Sequence, residues 1–490
     1  MNRIDKLPDR LVPSPVGMNG FPQKGPHFPA SAGRMPAKPG MAAVPQNLYP
    51  YAQPARTVNP AVGAGAIGLF ILLFITFGRV TDFVLSYLHF PLIISLYCLV
   101  FALIGRNLFA AFKSPVGLAL AGFSVCLLID IPFSVWRGDS FDLVTDTWAK
   151  SFSLFVITVA LLSSVRNSTL AVKVLAWSFL ATSILGFIYG RSQDGRFGLS
   201  QGLYMGSNDL ATAMAQGCIF WLFMARNPAS SLPRRILSVI PLVPLLVILL
   251  NTASRAGLIV IVILAVMTFF QSSAGGKAAI AGFVILGITA GAVFLPATAR
   301  QRFATIFGAS STDDTGIVSA SALDSSAQRS FLLKRSIILT LEHPIFGVGP
   351  GEFSVAENGL AQEEGKRGQW LGTHNTYTQI SSECGIPALL FFLASLYFCW
   401  QELKTAEKIH RSVSHPNSAE NLAITYTLRL TLISYAVFFC FEHIGYSLFY
   451  PVVAGIIIAF SRASRALVPV QAVRLPQAVT AMGLAPRIRR

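Results

Sequence analysis

Four side chains stand out for the chemistry their types allow. Arg255 lies in Asn251-Thr252-Ala253-Ser254-Arg255-Ala256-Gly257, between two apolar runs. An arginine beside hydrocarbon is costly unless it pairs, faces a polar cavity or snorkels to water from a helix end. The cavity is the reading that carries chemistry, because a guanidinium presents a fixed fork of donors matched to phosphate oxygens. Arg329 opens a polar helical stretch with Lys334 and Arg335 one turn further, and taken alone it equally suits a solvated helix face. Arg196, in Asp194-Gly195-Arg196-Phe197-Gly198, occupies a short loop closed by Asn208-Asp209 and by itself is a weak signal. The fourth is His374, in Thr373-His374-Asn375-Thr376-Tyr377. A histidine can act as a base near neutral pH because its unperturbed pKa is about 6.5. Glu383, nine residues on, could orient it or cap the next helix. His443 and Glu442 are rival candidates for the base, and spacing does not choose between the two histidines.

Other patterns carry less. Gly347-Val348-Gly349-Pro350-Gly351 lacks the GK[ST] ending of a phosphate-binding loop and reads as a flexible turn. Asp313-Asp314 has no histidine or third carboxylate close in sequence and reads as loop acid. The six cysteines (98, 126, 218, 384, 399, 440) fall in or beside apolar stretches and read as small packing residues. No CxxC, HExxH or GxSxG pattern occurs, so zinc, serine-hydrolase and ATPase readings have no support, and no metal or cofactor is expected.

The elements that position these residues follow from composition. Of 490 residues, 53% are hydrophobic and 12% charged. A soluble protein carries about 25% charged residues, so a water-soluble globule is excluded and the chain's solvent is mostly lipid. Residues 1–60 hold twelve of the 28 prolines without apolar periodicity and read as a disordered tail. Apolar runs follow at 61–78, 88–105, 116–136, 150–165, 170–189, 209–225, 235–251, 256–271, 278–295, 386–402, 425–443 and 448–464. They predict an all-α polytopic membrane protein of about twelve transmembrane helices.

Charge orients it. With the tail inside and the helices alternating, inside segments hold 24 of the 38 Lys/Arg and five of the 22 Asp/Glu. Outside segments hold 13 and 17, and Arg429 falls within a span. This positive-inside pattern puts both termini in the cytoplasm. The net +16 is thereby a topology signal, and nucleic acid is not expected as a partner. The organisation expected is a cytoplasmic tail at 1–60, helices 1–9 over 61–295 and a periplasmic loop over 296–385. Helices 10–12 follow over 386–466, then a basic cytoplasmic tail over 467–490. A helix is predicted within the loop at 327–342, after Asp324-Ser325-Ser326 and before His343-Pro344.

In order and spacing, several blocks resemble the O-antigen ligase and Wzy polymerase superfamily. They are Ser254-Arg255-Ala256-Gly257, Arg329, His343 through Phe353, His374-Asn375-Thr376-Tyr377 and Glu383-Cys384-Gly385-Ile386-Pro387. Arg196-Phe197-Gly198 with Asn208 resembles a segment upstream, and the likeness covers roughly residues 190–400. It implies a metal-independent, inverting glycosyltransferase of the GT-C type. Such an enzyme takes a glycan from undecaprenyl diphosphate and joins it to lipid A–core, or in polymerases to another lipid-linked repeat unit. The family's paired arginines fall on Arg255 and Arg329 and its histidine on His374. Arg196 is then a further substrate-binding residue, and Asn375 and Glu383 are supporting ones. The expected partners are the lipid-linked donor, a glycan or lipid A–core acceptor and membrane lipids. The Pro-rich tail departs from the family pattern. A secondary transporter is the competing class, but a carrier usually shows two similar halves, and this chain concentrates its unusual residues in one outer loop.

Overall fold

The computed structural model describes residues 60–468 apart from 85, 194–195, 305–315 and 414. The tail expected before residue 60, all but the first two residues of the basic tail at 467–490, and Asp313-Asp314 lie outside the described residues. Among the described residues the chain is helical save for one two-stranded hairpin. Helices α1 (Pro60–Gly78), α2 (Phe90–Ile104), α3 (Pro115–Asp130), α4 (Arg137–Leu161) and α5 (Val165–Tyr189) come first. The hairpin follows, β1 (Gly190–Gln193) paired antiparallel with β2 (Arg196–Leu199). Then come α6 (Ser207–Arg226), α7 (Leu232–Asn251), α8 (Arg255–Phe270) and α9 (Ala274–Phe294). The polar stretch contains α10 (Ala297–Ala304), α11 (Gly316–Glu342) and α12 (Phe353–Glu363). The chain closes with α13 (Thr376–Ser412), α14 (Ser418–Phe438) and α15 (Phe449–Arg465).

Each of the twelve apolar runs carries one of these helices, α1–α9 and α13–α15. Among the described residues, α1, α3 (extended to Phe133), α4, α5, α7 and α13 are long and apolar enough to cross a membrane. Several start on a side chain that accepts a first-turn N–H: Ser114 from Val116, Ser164 from Asn167, Ser254 from Gly257 and Asn375 from Thr378. Such a cap contributes about 1 kcal/mol. Helix α13 packs along α3 and α15, α1 along α2 and α5, and α6 between α5 and α7. At the centre Phe392 meets Phe123, Phe439 and Tyr450 at ring separations of 5.3–5.9 Å. Outward, Leu92, Leu96, Phe270, Ile285 and Ile288 are exposed. An apolar surface of this extent is at equilibrium in hydrocarbon and not in water. The molecule is a helical membrane protein.

Two expectations about the polar stretch need correcting. The loop helix begins at Gly316 and not after Ser326, so Asp324-Ser325-Ser326 lies inside it. Ala320, Ala322 and Leu323 just upstream are good helix formers and override the start signal. Its end at Glu342, before His343-Pro344, is where the sequence puts it. In addition, α13 starts ten residues before the apolar run and bends at Gly385, where φ is 76°. The stretch has its own small core of Leu332, Leu339, Val348 and Phe353, flanked by Phe331, Leu360 and Leu371.

Candidate active site

Four arginines reach one cavity of about 400 Å³: Arg196, Arg255, Arg302 and Arg329. Asn208, Ser254, Thr373, His374, Asn375 and Cys440 complete its polar wall. Arg196 starts β2, opposite Gln193, and its Nη2 donates to Asn208 Oδ1 in the first turn of α6. Its Nε is buried and has no partner. Arg255 is the first residue of α8, delivered by a tight link from α7 in which Ala253 adopts φ 50°. A non-glycine residue there costs roughly 1–2 kcal/mol, and the Ser254 cap helps hold it (Gly257 N–H to Oγ, 3.3 Å). The helix N-terminus adds positive potential of the same sign as the side chain. Arg329 comes from α11 and Arg302 from α10.

Arg302 was missed by sequence reasoning. Its signal was the pair Arg300 and Arg302 directly after the 278–295 run, with no nearby acid. Burial and the neighbouring Arg302 and Arg329 lower the Arg196 guanidinium to about 10. Burial, Arg255 and Arg329 lower Arg302 as well. Arg196 and Arg302 stay cationic at neutral pH, and the part of each shift that comes from neighbouring arginines is repulsion that a bound anion would relieve.

His374 stands at the mouth of α13 with φ 51°. The turn around it is fixed by neighbours on both sides. The Thr373 hydroxyl donates to the Asn375 carbonyl (2.9 Å), and Asn375 Oδ1 accepts the Thr378 N–H (3.0 Å). Thr376 N–H donates to the Phe439 carbonyl (2.8 Å) and its hydroxyl to the Glu442 carbonyl (2.7 Å). These bonds seat the His374 ring edge-to-face on His443, 5.2 Å between centroids. His374 Nδ1 is buried and has no hydrogen-bond partner. Burial first, then His443, Arg329 and Arg196, lower its pKa to about 4, so the imidazole is neutral and its lone pair is available.

The two rival residues lie in a loop, because α14 ends at Phe438 and not at the end of the 425–443 run. The Glu442 carboxyl is buried, and burial raises it to about 8 against the pull of Arg329. It therefore neutralises little of the arginine charge at neutral pH. Cys440, read from sequence as a packing residue, is exposed and lines the cavity, whereas Cys98, Cys218, Cys384 and Cys399 are buried.

Three sequence candidates point elsewhere. Arg335 pairs with Glu364 (2.6 Å) and stacks on Phe331, outside the cavity lining. Glu383 does not line the cavity either. Its Oε2 accepts the Tyr446 hydroxyl (2.6 Å) and the Gly351 N–H (3.1 Å). The glycine turn it holds is a clasp and not a loose connection. Val348 N–H and Gly349 N–H donate to the Ser382 and Glu383 carbonyls (2.9 and 2.8 Å), which the bend at Gly385 leaves without helical partners. A Cβ on Gly349 would stand 2.0 Å from Ser134 Oγ, and one on Gly385 2.1 Å from the Ile345 carbonyl oxygen.

This helical membrane protein presents an arginine-lined cavity with a neutral histidine on its wall. Residues 240–393 match the O-antigen ligase family model. That match lies within the stretch where the sequence resembles the O-antigen ligase and Wzy superfamily, and it supports the resemblance there. The match includes Arg255, Arg302, Arg329, the glycine turn, His374, Asn375 and Glu383, and stops short of Arg196 upstream and Glu442 and His443 downstream. No curated protein matches the sequence.

Proposed function

We propose that the protein is an inner-membrane glycosyltransferase that moves a glycan from undecaprenyl diphosphate to an acceptor hydroxyl, in the manner of an O-antigen ligase. The observation that supports this most is the convergence of four arginines and a neutral histidine on one cavity. Arg255 and Arg329, with Arg196, hold the diphosphate. The acceptor oxygen attacks the anomeric carbon from the face opposite the leaving group, so the configuration inverts. As the glycosyl–oxygen bond breaks, negative charge grows on the diphosphate, where fixed guanidinium groups act without reorganising. His374 takes the acceptor's proton, a contribution of about 10²–10⁴-fold. Asn375 supports it by capping α13, and Glu383 does so through the clasp.

Twelve helices cross the membrane in this reading, with both termini cytoplasmic and residues 296–385 periplasmic. The support is the basic bias of the inside loops. Cys440 offers a native test of orientation. An impermeant maleimide should label it in intact cells with a permeabilised outer membrane, and undecaprenyl diphosphate should protect it. Labelling only after the inner membrane is broken reverses the orientation.

The reaction itself is tested by what accumulates when the protein is absent. Long undecaprenyl-linked chains indicate a lost ligase. Single undecaprenyl-linked repeats indicate a lost polymerase, and unchanged lipid-linked glycans remove both.

A further inference from the structure

A second cavity, of about 280 Å³, lies at the other end of two helices that bound the first. Helix α8 begins at Arg255 in the arginine cavity and ends beside Gln271 in this one. Sixteen residues of helix span about 24 Å, most of the thickness of a bilayer's hydrocarbon. Ile219, Phe223 and Leu430 give its lining an apolar part, and Arg226, Tyr426 and Gln271 line it as well. The polar groups there are underused. Among the described residues Arg226 makes no ion pair, and its Nη1 is buried and without a hydrogen-bond partner. The hydroxyls of Tyr426 and Thr268 are buried and have no hydrogen-bond partner. Glu420, next to the lining residue Ala419, is committed elsewhere, since it accepts from Lys173 (3.2 Å) and Asn227 (2.7 Å). Arg234 and Arg235 follow on the next helix.

A buried guanidinium edge without an acceptor is costly, and a phosphate oxygen is the acceptor its geometry suits. The apolar part of the lining suits a hydrocarbon chain. We infer that this cavity binds the phosphate headgroup of an anionic phospholipid, with Arg226 and Tyr426 on the phosphate and an acyl chain along Ile219, Phe223 and Leu430. Free phosphate shares the headgroup chemistry but leaves that apolar part unused. The site is separate from the arginine cavity and does not depend on the reaction proposed for it. In the orientation proposed above it faces the cytoplasmic leaflet, where the surrounding basic residues attract anionic lipid.

The test is native mass spectrometry of the full chain in detergent, titrated with phosphatidylglycerol or phosphatidylcholine of the same acyl chains. Phosphatidylglycerol should bind wild type about tenfold more tightly than phosphatidylcholine. Arg226→Gln should remove that preference, and Tyr426→Phe should weaken it severalfold without disturbing the core. Arg234→Gln, outside the cavity, should keep it. Equal binding of the two lipids, an unchanged preference in both Arg226→Gln and Tyr426→Phe, or an equal loss in Arg234→Gln overturns the site. Displacement of phosphatidylglycerol by millimolar inorganic phosphate overturns the lipid as occupant. Melting curves confirm that each variant is folded.

Discussion

The glycine turn and the arginine cavity both draw on the polar stretch and treat their hydrogen-bonding groups in opposite ways. In the turn, the carbonyls of Ser382 and Glu383, the N–H groups of Val348, Gly349 and Gly351, and the Glu383 carboxyl all have partners inside the protein. Around the cavity, Arg196 Nε and His374 Nδ1 are buried without one, and like charges face each other. A region that satisfies itself reads as a frame, and a region with buried donors left over is the candidate for a ligand site. Both lie in blocks that resemble the same family, so resemblance alone does not separate the two kinds of residue. The hydrogen-bond inventory does.

The hardest break of that distinction is at His374. His374→Ala should lose turnover by about 10²–10⁴-fold in a reconstituted transfer assay while still binding the lipid-linked donor. His443→Ala, which touches the same ring, should lose far less. A loss confined to His443→Ala would move the base there. The pH profile sharpens the point. His374 is a base only while neutral, so activity falls as pH drops through its pKa, about 4 in the free protein. A bound diphosphate shields it from Arg329 and Arg196 and raises that pKa. The acid limb of kcat should therefore lie at higher pH than that of kcat/KM.

Next in size is the clamp. Arg329→Ala should lower kcat/KM by about 10²-fold or more, the scale of removing one charge-stabilising donor. Arg329→Lys should recover part of this, since it keeps the charge and loses the fork. Activity like wild type at subsaturating donor would make Arg329 an ordinary surface residue.

The frame should fail differently. Gly349→Ala forces a side chain onto Ser134 at a φ of 113°, so it should destabilise the fold by about 2 kcal/mol or more. The melting temperature should fall, and added donor should not rescue turnover at temperatures where the variant is unfolded. The smallest effect belongs to Glu383→Gln, which keeps an acceptor for Gly351 and Tyr446 but loses the charge. It should cost about 1 kcal/mol in stability with kcat near wild type. A large fall in kcat at unchanged melting temperature would bring Glu383 into the chemistry.

Much of this was legible in the chain. Apolar runs mark where helices form because lipid demands internally satisfied backbone, Arg255 is of a type that seldom stands beside hydrocarbon without cause, and Arg196, Arg329 and His374 stand out through the family resemblance. What could not be read depends on contacts distant in sequence. Nothing local says that Thr376 bonds to Phe439 and Glu442, the contact that sets His374 against His443. Arg302 went unremarked in the sequence, and α10 brings it to the cavity. The glycine turn looked loose because its partners, Ser382 and Glu383, come more than thirty residues later. Asp324-Ser325-Ser326 misled because a start signal has no force once a helix is already under way.

The stitch between residues 373–376 and 439–444 also fixes when the site can exist during synthesis. The three arginines at 255, 302 and 329 leave the ribosome long before the Phe439 and Glu442 carbonyls that hold the start of α13. A chain halted after α13 has its anion-holding groups but not the contact that aims its histidine. In the topology proposed above, every helix but the last is in place before that contact can form. It follows that a chain cut between α13 and α14 and expressed as two pieces should be inert until the pieces meet.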